Sequence, residues 1–303
     1  MTRVAITGGT GFVGRHVAER LRAGGDEVIV LSRRTGFDLA RPDVAGLTAA
    51  LTDCDALVHC AGINREIGDQ TYVAVHVEGT RRLIEAARAA AVEHISILSF
   101  LRARPDGPTS YHRSKWAAEE LVRASGIPYT VLKAGVIHGR GDHMLDHLSH
   151  ALHTFPAFGL VGMHERPVRP VAVDDVARIL VAAARGDRRL RDTTVAVLGP
   201  DEMPLGTAVR RVAAAVDRHP RYIRLPIAAH VGLARLCEAT MRVPLISIAQ
   251  VHILAEGVAE VAPFGDVPPA DLRPTTPFDL ESIRAGLPPA GGFGCRDLRW
   301  CRA

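Results

Sequence analysis

The chain has 303 residues, 47% apolar and 23% charged, with a formal net charge of +4. That balance excludes a disordered chain, and no apolar run reaches the roughly 18 residues that a spanning helix needs. Arginine and acidic residues alternate along the chain, as in RRTGFD and RGDRRLRD, which argues for a mixed solvated surface and against a nucleic-acid face.

Residues 3–7 form a short apolar run ending in glycines, the pattern of a buried parallel strand. Residues 11–24 carry Val13, Val17 and Leu21 at helical spacing and stop at Gly24-Gly25. A second β-branched run covers 27–31, and Asp43 is placed to cap a helix running to Leu51. Residues 55–60 predict a third strand, about 70–91 a long Ala-rich helix, 94–99 a fourth strand, about 111–125 a helix and 128–133 a fifth strand. Strands alternating with helices predict an α/β fold, a Rossmann-type doubly wound parallel sheet. The stretch 137–170, rich in Gly, Pro and His, breaks this pattern. A helix–strand pair returns at about 174–198, and helices at 204–217 and 227–240 flank a strand-like 222–226. Seven of the 19 prolines lie beyond Ala262, which predicts an extended tail. The expected domains are therefore 1–136 plus about 171–200, binding a dinucleotide, and a smaller C-terminal substrate lobe made of 137–170 and 201–303.

Between the first strand and helix lies Thr7-Gly8-Gly9-Thr10-Gly11-Phe12-Val13-Gly14. Gly8 permits the tight turn, Gly11 lets backbone approach a pyrophosphate, and Gly14 lets helix pack on strand. The N–H groups at the helix start then face the anion, with Thr10, Phe12 and Val13 part of the same binding turn. About 20 residues on, an acid would bind the ribose of NAD. The chain has Ser32-Arg33-Arg34 there, and two guanidiniums suit a 2′-phosphate, so NADP(H) is the preferred cofactor and NAD(H) the alternative.

Of 37 basic residues only Lys115 and Lys133 are lysine. Lys115 stands four residues after Tyr111, which puts both on one helical face. A nearby ammonium favours the phenolate and is expected to lower the tyrosine pKa. Ser99, at the carboxyl end of the fourth strand, is placed to hydrogen-bond a substrate carbonyl, and Lys133, ending the fifth strand, is placed to meet the cofactor crevice.

These motifs, with Asp38-Leu39, His59-Cys60-Ala61-Gly62, Gly79-Thr80, His138-Gly139-Arg140-Gly141 and Arg169-Pro170-Val171-Ala172-Val173-Asp174-Asp175-Val176-Ala177, resemble the extended or atypical short-chain dehydrogenase/reductase superfamily. The likeness is to its epimerase/dehydratase type, near the complex I 39-kDa-subunit-like and NmrA-like group, and covers about residues 1–215. The resemblance implies that Asp38 and Leu39 hold the adenine and that Cys60, Ala61 and Gly62 line the cofactor with backbone. It implies Tyr111 as general acid/base, Lys115 on the nicotinamide ribose, and Ser99 orienting the substrate. It also implies pairing of chains through helices like 70–91 and 111–125, so monomer and homodimer both stay open. Two positions depart from the family pattern: His76 replaces the usual Asn, and Phe100-Leu101 follow Ser99 where a second small hydroxyl residue is usual. At Asp174-Asp175 an N-cap is expected.

His143, His147 and His150 share a helical face, a spacing compatible with a metal, a pocket lining or plain surface. Pocket lining is the reading taken, with His76, His138, His143 and His147 toward substrate and no metal. The five cysteines, Cys54, Cys60, Cys237, Cys295 and Cys301, contain no CxxC pair and read as reduced thiols. The N-terminal stretch lacks the features of a signal peptide, so a cytoplasmic protein without membrane or nucleic-acid partners is expected. The functional expectation is an NADP(H)-dependent oxidoreductase acting on the carbonyl or alcohol of a small organic substrate. The alternatives are a nucleotide-sugar-type epimerase/dehydratase and a non-catalytic NADP(H)-binding regulatory or assembly protein, since fold alone does not decide activity.

Overall fold

A computed structural model describes residues 1–242 and 244–300. In chain order the elements are β1 (Arg3–Thr7), α1 (Phe12–Ala23), β2 (Glu27–Leu31), α2 (Val44–Leu51), β3 (Ala56–His59), α3 (Gly79–Ala89), β4 (His94–Phe100), α4 (Ser110–Arg123) and β5 (Tyr129–Ala134). There follow β6 (Ile137–His138), α5 (His143–Thr154), β7 (Ala157–Val161), β8 (Pro167–Val168), β9 (Val171–Ala172), α6 (Val173–Ala184) and β10 (Thr193–Val197). The rest comprises β11 (Met203–Pro204), α7 (Leu205–Ala215), β12 (Arg221–Leu225), α8 (Ile227–Thr240), α9 (Ile248–Glu256) and α10 (Leu280–Gly286). The chain divides into two compact units, one of Met1–Gly135, Val173–Val197 and Glu260–Pro274, the other of Val136–Ala172, Leu198–Ala259 and Thr275–Ala303.

The first unit is built on six parallel strands in the order β10-β5-β4-β3-β1-β2. Val4, Ala5, Ile6, Leu57 and Val58 on the interior strands β1 and β3 are fully buried, as expected where helices cover both faces. One face carries Ala5, Leu57, Ile95, Ile97 and Val131 and is closed by Leu47 and Leu51 of α2, Leu83 and Ile84 of α3, and Ala118 and Val122 of α4. α1 and α6 pack on each other. The order of connection reverses between β1 and β3, whose last paired residues are Thr7 and His59. A doubly wound sheet opens its crevice at the carboxyl ends of such a pair.

Local signals in the sequence account for several element ends. Asp43 caps α2 by accepting the Ala45 N–H at 3.1 Å. α6 starts at Val173, so Asp174 and Asp175 lie in its first turn rather than at the cap, where a negative charge meets the positive end of the helix dipole. Asp175 holds Arg178 at 2.9 Å, and Asp174 is 3.1 Å from His16 Nδ1.

Residues 260–274 correct the expected domain division. They join the first unit because Asp266 pairs with the edge strand, its N–H on Thr194 O at 2.7 Å and its carbonyl taking the Ala196 N–H at 2.8 Å. The extended tail is also interrupted by α10, whose Asp279 and Ser282 form a reciprocal cap and whose Ile283 is fully buried. Proline bounds this helix without preventing it. α9, unread in the sequence, carries the same kind of signal in Ser247 and Gln250.

In the second unit β12 pairs with β7 in parallel, and α5, α7 and α10 enclose Leu145, Leu152, Val212, Phe278 and Ile283. His138 belongs to this core. It is 1% exposed and meets Phe278 edge-on at 4.8 Å between ring centroids, which corrects its assignment as a substrate-facing residue. Cys54, Cys60 and Cys237 are free, whereas Cys295 is disulfide-bonded, correcting the expectation of reduced thiols there. Cys301 lies outside the described residues. Among the described residues, no helix is long and apolar enough to cross a membrane.

Phe278 is 1% exposed and packs in the core with Leu145, Val212 and Ile283, so Phe278→Ala removes a ring from that core. It is expected to lower stability by about 3–5 kcal/mol, measured by equilibrium urea unfolding. A change within error of zero would show that this ring does not hold the second unit together.

Candidate active site

The glycine turn is held by contacts that leave no room for side chains. Gly8 has φ +69°, and a Cβ there would lie 2.7 Å from Ala61 N. A Cβ on Gly14 would lie 2.4 Å from the Gly8 carbonyl oxygen. The turn closes through Gly11 N–H on Gly8 O at 2.8 Å. Gly11 caps α1 without a side-chain hydrogen bond, and the first helical turn, which includes Phe12 and Val13, holds no acid. The N–H groups that open α1 thus keep their hydrogen-bonding capacity and their positive partial charge. This donor set fits the diphosphate of a dinucleotide, with Thr10 in the same turn.

Thr7, the last residue of β1, starts a buried hydrogen-bond line. Thr80 Oγ1 donates to His76 O at 2.6 Å and therefore accepts from His59 Nε2 at 3.0 Å. His59 Nδ1 then accepts from Thr7 Oγ1 at 2.6 Å. The partners assign the tautomer. Burial, followed by the charge of Lys115, pushes the His59 pKa down to about 3, so the ring stays neutral.

Residues Val73–Glu78 form a π-helical turn that carries His76, a local form often found at functional sites. Ile63 N–H donates to His76 Nε2 at 3.0 Å, so Nδ1 is the protonated nitrogen and donates to Ser114 Oγ at 2.9 Å. Ser114 in turn donates to Tyr111 O at 3.0 Å. Burial and then Lys115 hold the His76 pKa well below its usual value. Both ring nitrogens are thus engaged within the protein and the residue is 2% exposed. This corrects His76 from a substrate-facing residue to one that ties the loop after β3 to α4.

Tyr111 and Lys115 extend from α4 toward this corner. The Tyr111 ring lies 5.7 Å from Tyr72, 5.9 Å from His76 and 5.5 Å from Phe100, centroid to centroid. Lys115 Nζ donates to Leu98 O at 2.7 Å. A Cβ on Gly62 would lie 3.3 Å from His76 Nε2 and 3.7 Å from Lys115 Nζ, so three chain segments meet there. Burial brings the Lys115 pKa down to about 8, against the opposing pull of Glu119 and then Cys60. Burial raises the Tyr111 phenol above its usual range, which corrects the expected lowering by Lys115. The ammonium is tethered to the β4 carbonyl, and burial decides the sign. Cys60 and Ala61 follow β3, with the Cys60 N–H on Thr7 O at 3.1 Å. Burial pushes the Cys60 thiol up to about 12, so it is no thiolate at neutral pH.

Ser99 and Lys133 are placed differently from expectation. Ser99 Oγ donates to Glu119 Oε1 at 2.5 Å. Lys133 is fully buried, with Nζ 2.8 Å from Ala103 O and 3.3 Å from Glu119 Oε2, and it lies over the Trp116 ring. Both are committed to a buried cluster around Glu119, which faces the same way as Lys115 one helical turn earlier. That offset of four was the available sequence signal for Glu119. A buried charge must be compensated, and Lys133, Arg123 at 2.8 Å from Oε2 and the Ser99 hydroxyl are what the fold supplies.

At the far side of β2, Ser32 is buried while Arg33 and Arg34 are exposed. Burial works against the Asp38 carboxylate, but Gln70 Nε2 at 3.0 Å, Ala40 N–H at 3.0 Å, Arg33 and Arg41 hold its pKa below the usual value. Leu39 beside it is 8% exposed. In the second unit, His143 is exposed, and the His147 ring lies 6.4 Å from His143 and 6.3 Å from Phe293. His150 packs on Phe293 at 5.6 Å. Among the described residues, no group of three or more His, Cys, Asp or Glu is placed to hold a metal.

The neutral His59 has a pH consequence. Its folded pKa of about 3 lies below the unfolded 6.5, so its contribution to stability is complete above pH 6.5 and is lost as pH falls toward 3. The loss is about 1.4 kcal/mol per pH unit in that window. His59→Gln is expected to be less stable at pH 7 yet to show a flatter acid limb in urea titrations. An unchanged limb would contradict the assignment.

Residues 4–199 match the model of the NAD dependent epimerase/dehydratase family. A ceramide reductase of Caulobacter vibrioides is 32% identical over 243 residues, covering 74% of this chain and 73% of that protein. The mouse mitochondrial NADH dehydrogenase [ubiquinone] 1 alpha subcomplex subunit 9 is 26% identical over 306 residues, covering 92% of this chain and 78% of that protein. This agrees with the resemblance to the complex I group. Among solved structures, MoeE5 in complex with UDP-glucose and NAD superposes with a TM-score of 0.64 at 19% identity, covering 93% of this chain and 96% of that one, a likeness of fold. The family match favours the epimerase/dehydratase alternative over the expected reduction of a small organic carbonyl. A Rossmann-type sheet, a glycine turn that fits a diphosphate and a match over most of the first unit together establish that the chain belongs to the NAD dependent epimerase/dehydratase family.

Proposed function

We propose that this chain is an NAD(P)-dependent enzyme that passes its substrate through a ketone stage at a secondary alcohol carbon, as an epimerase or dehydratase does. The observation that carries this reading is the Tyr111–Lys115 pair on one face of α4, with the Lys115 ammonium tethered to the carboxyl end of β4 and beside Gly62. When bound, the dinucleotide supplies the hydride acceptor and donor. The N–H groups opening α1 hold its diphosphate, with Gly8, Gly11 and Gly14 keeping side chains out of the way. Cys60, Ala61 and Gly62 present backbone to it, and Asp38 and Leu39 face the adenine end. Tyr111 exchanges a proton with the substrate oxygen, and Lys115 places a positive charge beside the reacting centre. Burial keeps the Tyr111 proton on the phenol at neutral pH, the form needed in the return half of the cycle, when hydride delivery to the ketone makes an alkoxide.

A second reading has a specific support. The relative at 32% identity is named a ceramide reductase, and a phenol that retains its proton suits net reduction of a ketone, here on a lipid amide. The two differ in cofactor balance. An epimerase or dehydratase returns its hydride and consumes no NAD(P)H, whereas a reductase consumes one per turnover.

Tyr111→Phe is expected to lower turnover by about 10²–10⁴-fold while dinucleotide affinity stays within about threefold, because the phenol exchanges a proton and does not bear the diphosphate. Full activity in Tyr111→Phe would overturn the assignment. We further propose NADP(H) as the preferred cofactor, since exposed Arg33 and Arg34 suit a 2′-phosphate. Titrating NADPH and NADH separately against Arg33→Ala/Arg34→Ala is expected to weaken NADPH alone, and equal losses for both cofactors would reject the preference.

A further inference from the structure

Glu119 is fully buried on α4, one helical turn after Lys115 and one before Arg123. Residues four apart on a helix share a stripe, and two consecutive residues of β4 hold this one. The Leu98 carbonyl accepts from Lys115 Nζ at 2.7 Å, and the Ser99 hydroxyl donates to Glu119 Oε1 at 2.5 Å. Ser99 and Lys133 are register partners across the β4–β5 pair, so both side chains leave the same face of the sheet. Glu119 Oε2 meets Lys133 Nζ at 3.3 Å and Arg123 at 2.8 Å. One helical turn rises about 5.4 Å, so a slip of α4 that breaks this grip also carries Lys115 away from the Leu98 carbonyl.

The titratable groups around Lys115 come from three other segments. β3 and the residue after it bring His59, which is neutral, and Cys60, which is a protonated thiol. The π-helical turn brings His76, also neutral, and the preceding turn of α4 brings Tyr111, which keeps its proton. At neutral pH none of these carries a negative charge. Glu119 does, and it is the strongest pull against the burial that disfavours the Lys115 ammonium. The same carboxylate serves Lys133, which also feels Arg104, and it shares Arg123 with Glu120. One buried acid thus stands among three cations, and without it like charges face one another away from water.

We propose that Glu119 is a positioning residue for the reaction: its carboxylate, gripped from β4 by Ser99 and from β5 by Lys133, pins α4 to the sheet and is the counter-charge of the Lys115 ammonium. This rests on the reading that places Lys115 beside the reacting centre. Glu119 acts through Lys115 and the seat of α4, not by contact with substrate. Ser99 and Lys133 then have a shared role at the strand ends, which is to hold the carboxylate that serves the helix above them.

Lys115 and Lys133 are the two lysines of the chain, so lysine isotopically labelled at Cε gives two NMR signals, and the one absent from Lys115→Arg belongs to Lys115. The test follows that signal through a pH titration of the full chain, without cofactor or substrate. The parent midpoint is expected at about 8. Glu119→Gln is expected to move it down by about one pH unit or more. Glu119→Asp keeps the charge and is expected to leave the midpoint nearer the parent. Because Glu119→Gln strands the Lys133 ammonium, Glu119→Gln/Lys133→Met removes the buried pair together. Its remaining lysine is Lys115, and the same downward shift is expected. The proposal is overturned if the Lys115 midpoint in either folded variant matches the parent, or if Glu119→Asp moves it as far as Glu119→Gln. The titration needs no turnover, so its failure is distinct from failure of the active-site reading, which Tyr111→Phe tests.

Discussion

The hydrogen-bond line Thr7–His59–Thr80–His76 ties the end of β1 to the end of β3 and to the π-helical turn behind them. It runs in one direction because each hydroxyl has a single proton to give. Its histidine must be neutral for this direction to hold, and burial keeps it so. The glycine turn starts one residue after Thr7, and the Cys60–Gly62 backbone starts one residue after His59. The line therefore fixes the two segments that leave the carboxyl ends of β1 and β3.

His76 extends the same logic to Tyr111 and Lys115. One of its nitrogens accepts from the loop after β3, and the other donates to Ser114 on α4. Ser114 lies between Tyr111 and Lys115 in the chain, so the orientation of α4 is coupled to the crevice through a neutral imidazole. A protonated ring would lose the Ile63 contact and place a second cation beside Lys115, which explains why its environment opposes protonation. The Glu119 cluster holds the next turn of α4 in a comparable way. Ser99, Lys133 and Arg123 surround its carboxylate, and Arg123 stacks between Trp116 and Phe264. Two polar networks thus support a helix whose apolar inward residues, Ala118 and Val122, are small. Their geometry, more than their net energy, is what the site uses.

Membership in the NAD dependent epimerase/dehydratase family leaves the chemistry to the residues around this framework. The position of Lys115, the protonated state of Tyr111 and the free N–H groups of α1 are properties of this chain. The second unit builds its own core around Phe278 and Ile283.

Much of the first unit was legible from periodicity alone. β-branched runs separated by amphipathic segments require helices on both sides of a sheet, and glycines at Gly8, Gly11 and Gly14 are demanded by backbone contacts too short for any side chain. Asp43 announced its cap for the same local reason. What tertiary structure decided was the partner of each polar group. A sequence places Ser99 and Lys133 at strand ends, where a crevice is expected, but only packing shows that the Glu119 carboxylate draws both inward. It likewise places His138 among glycines and His76 on a helix, without revealing that one enters a core and the other spends both nitrogens on protein. The strand order, the docking of 260–274 on β10 and the sign of the Tyr111 shift depend on residues distant in the chain. Burial and hydrogen-bond satisfaction are properties of the folded neighbourhood, whereas turn geometry and helical spacing are written in consecutive residues.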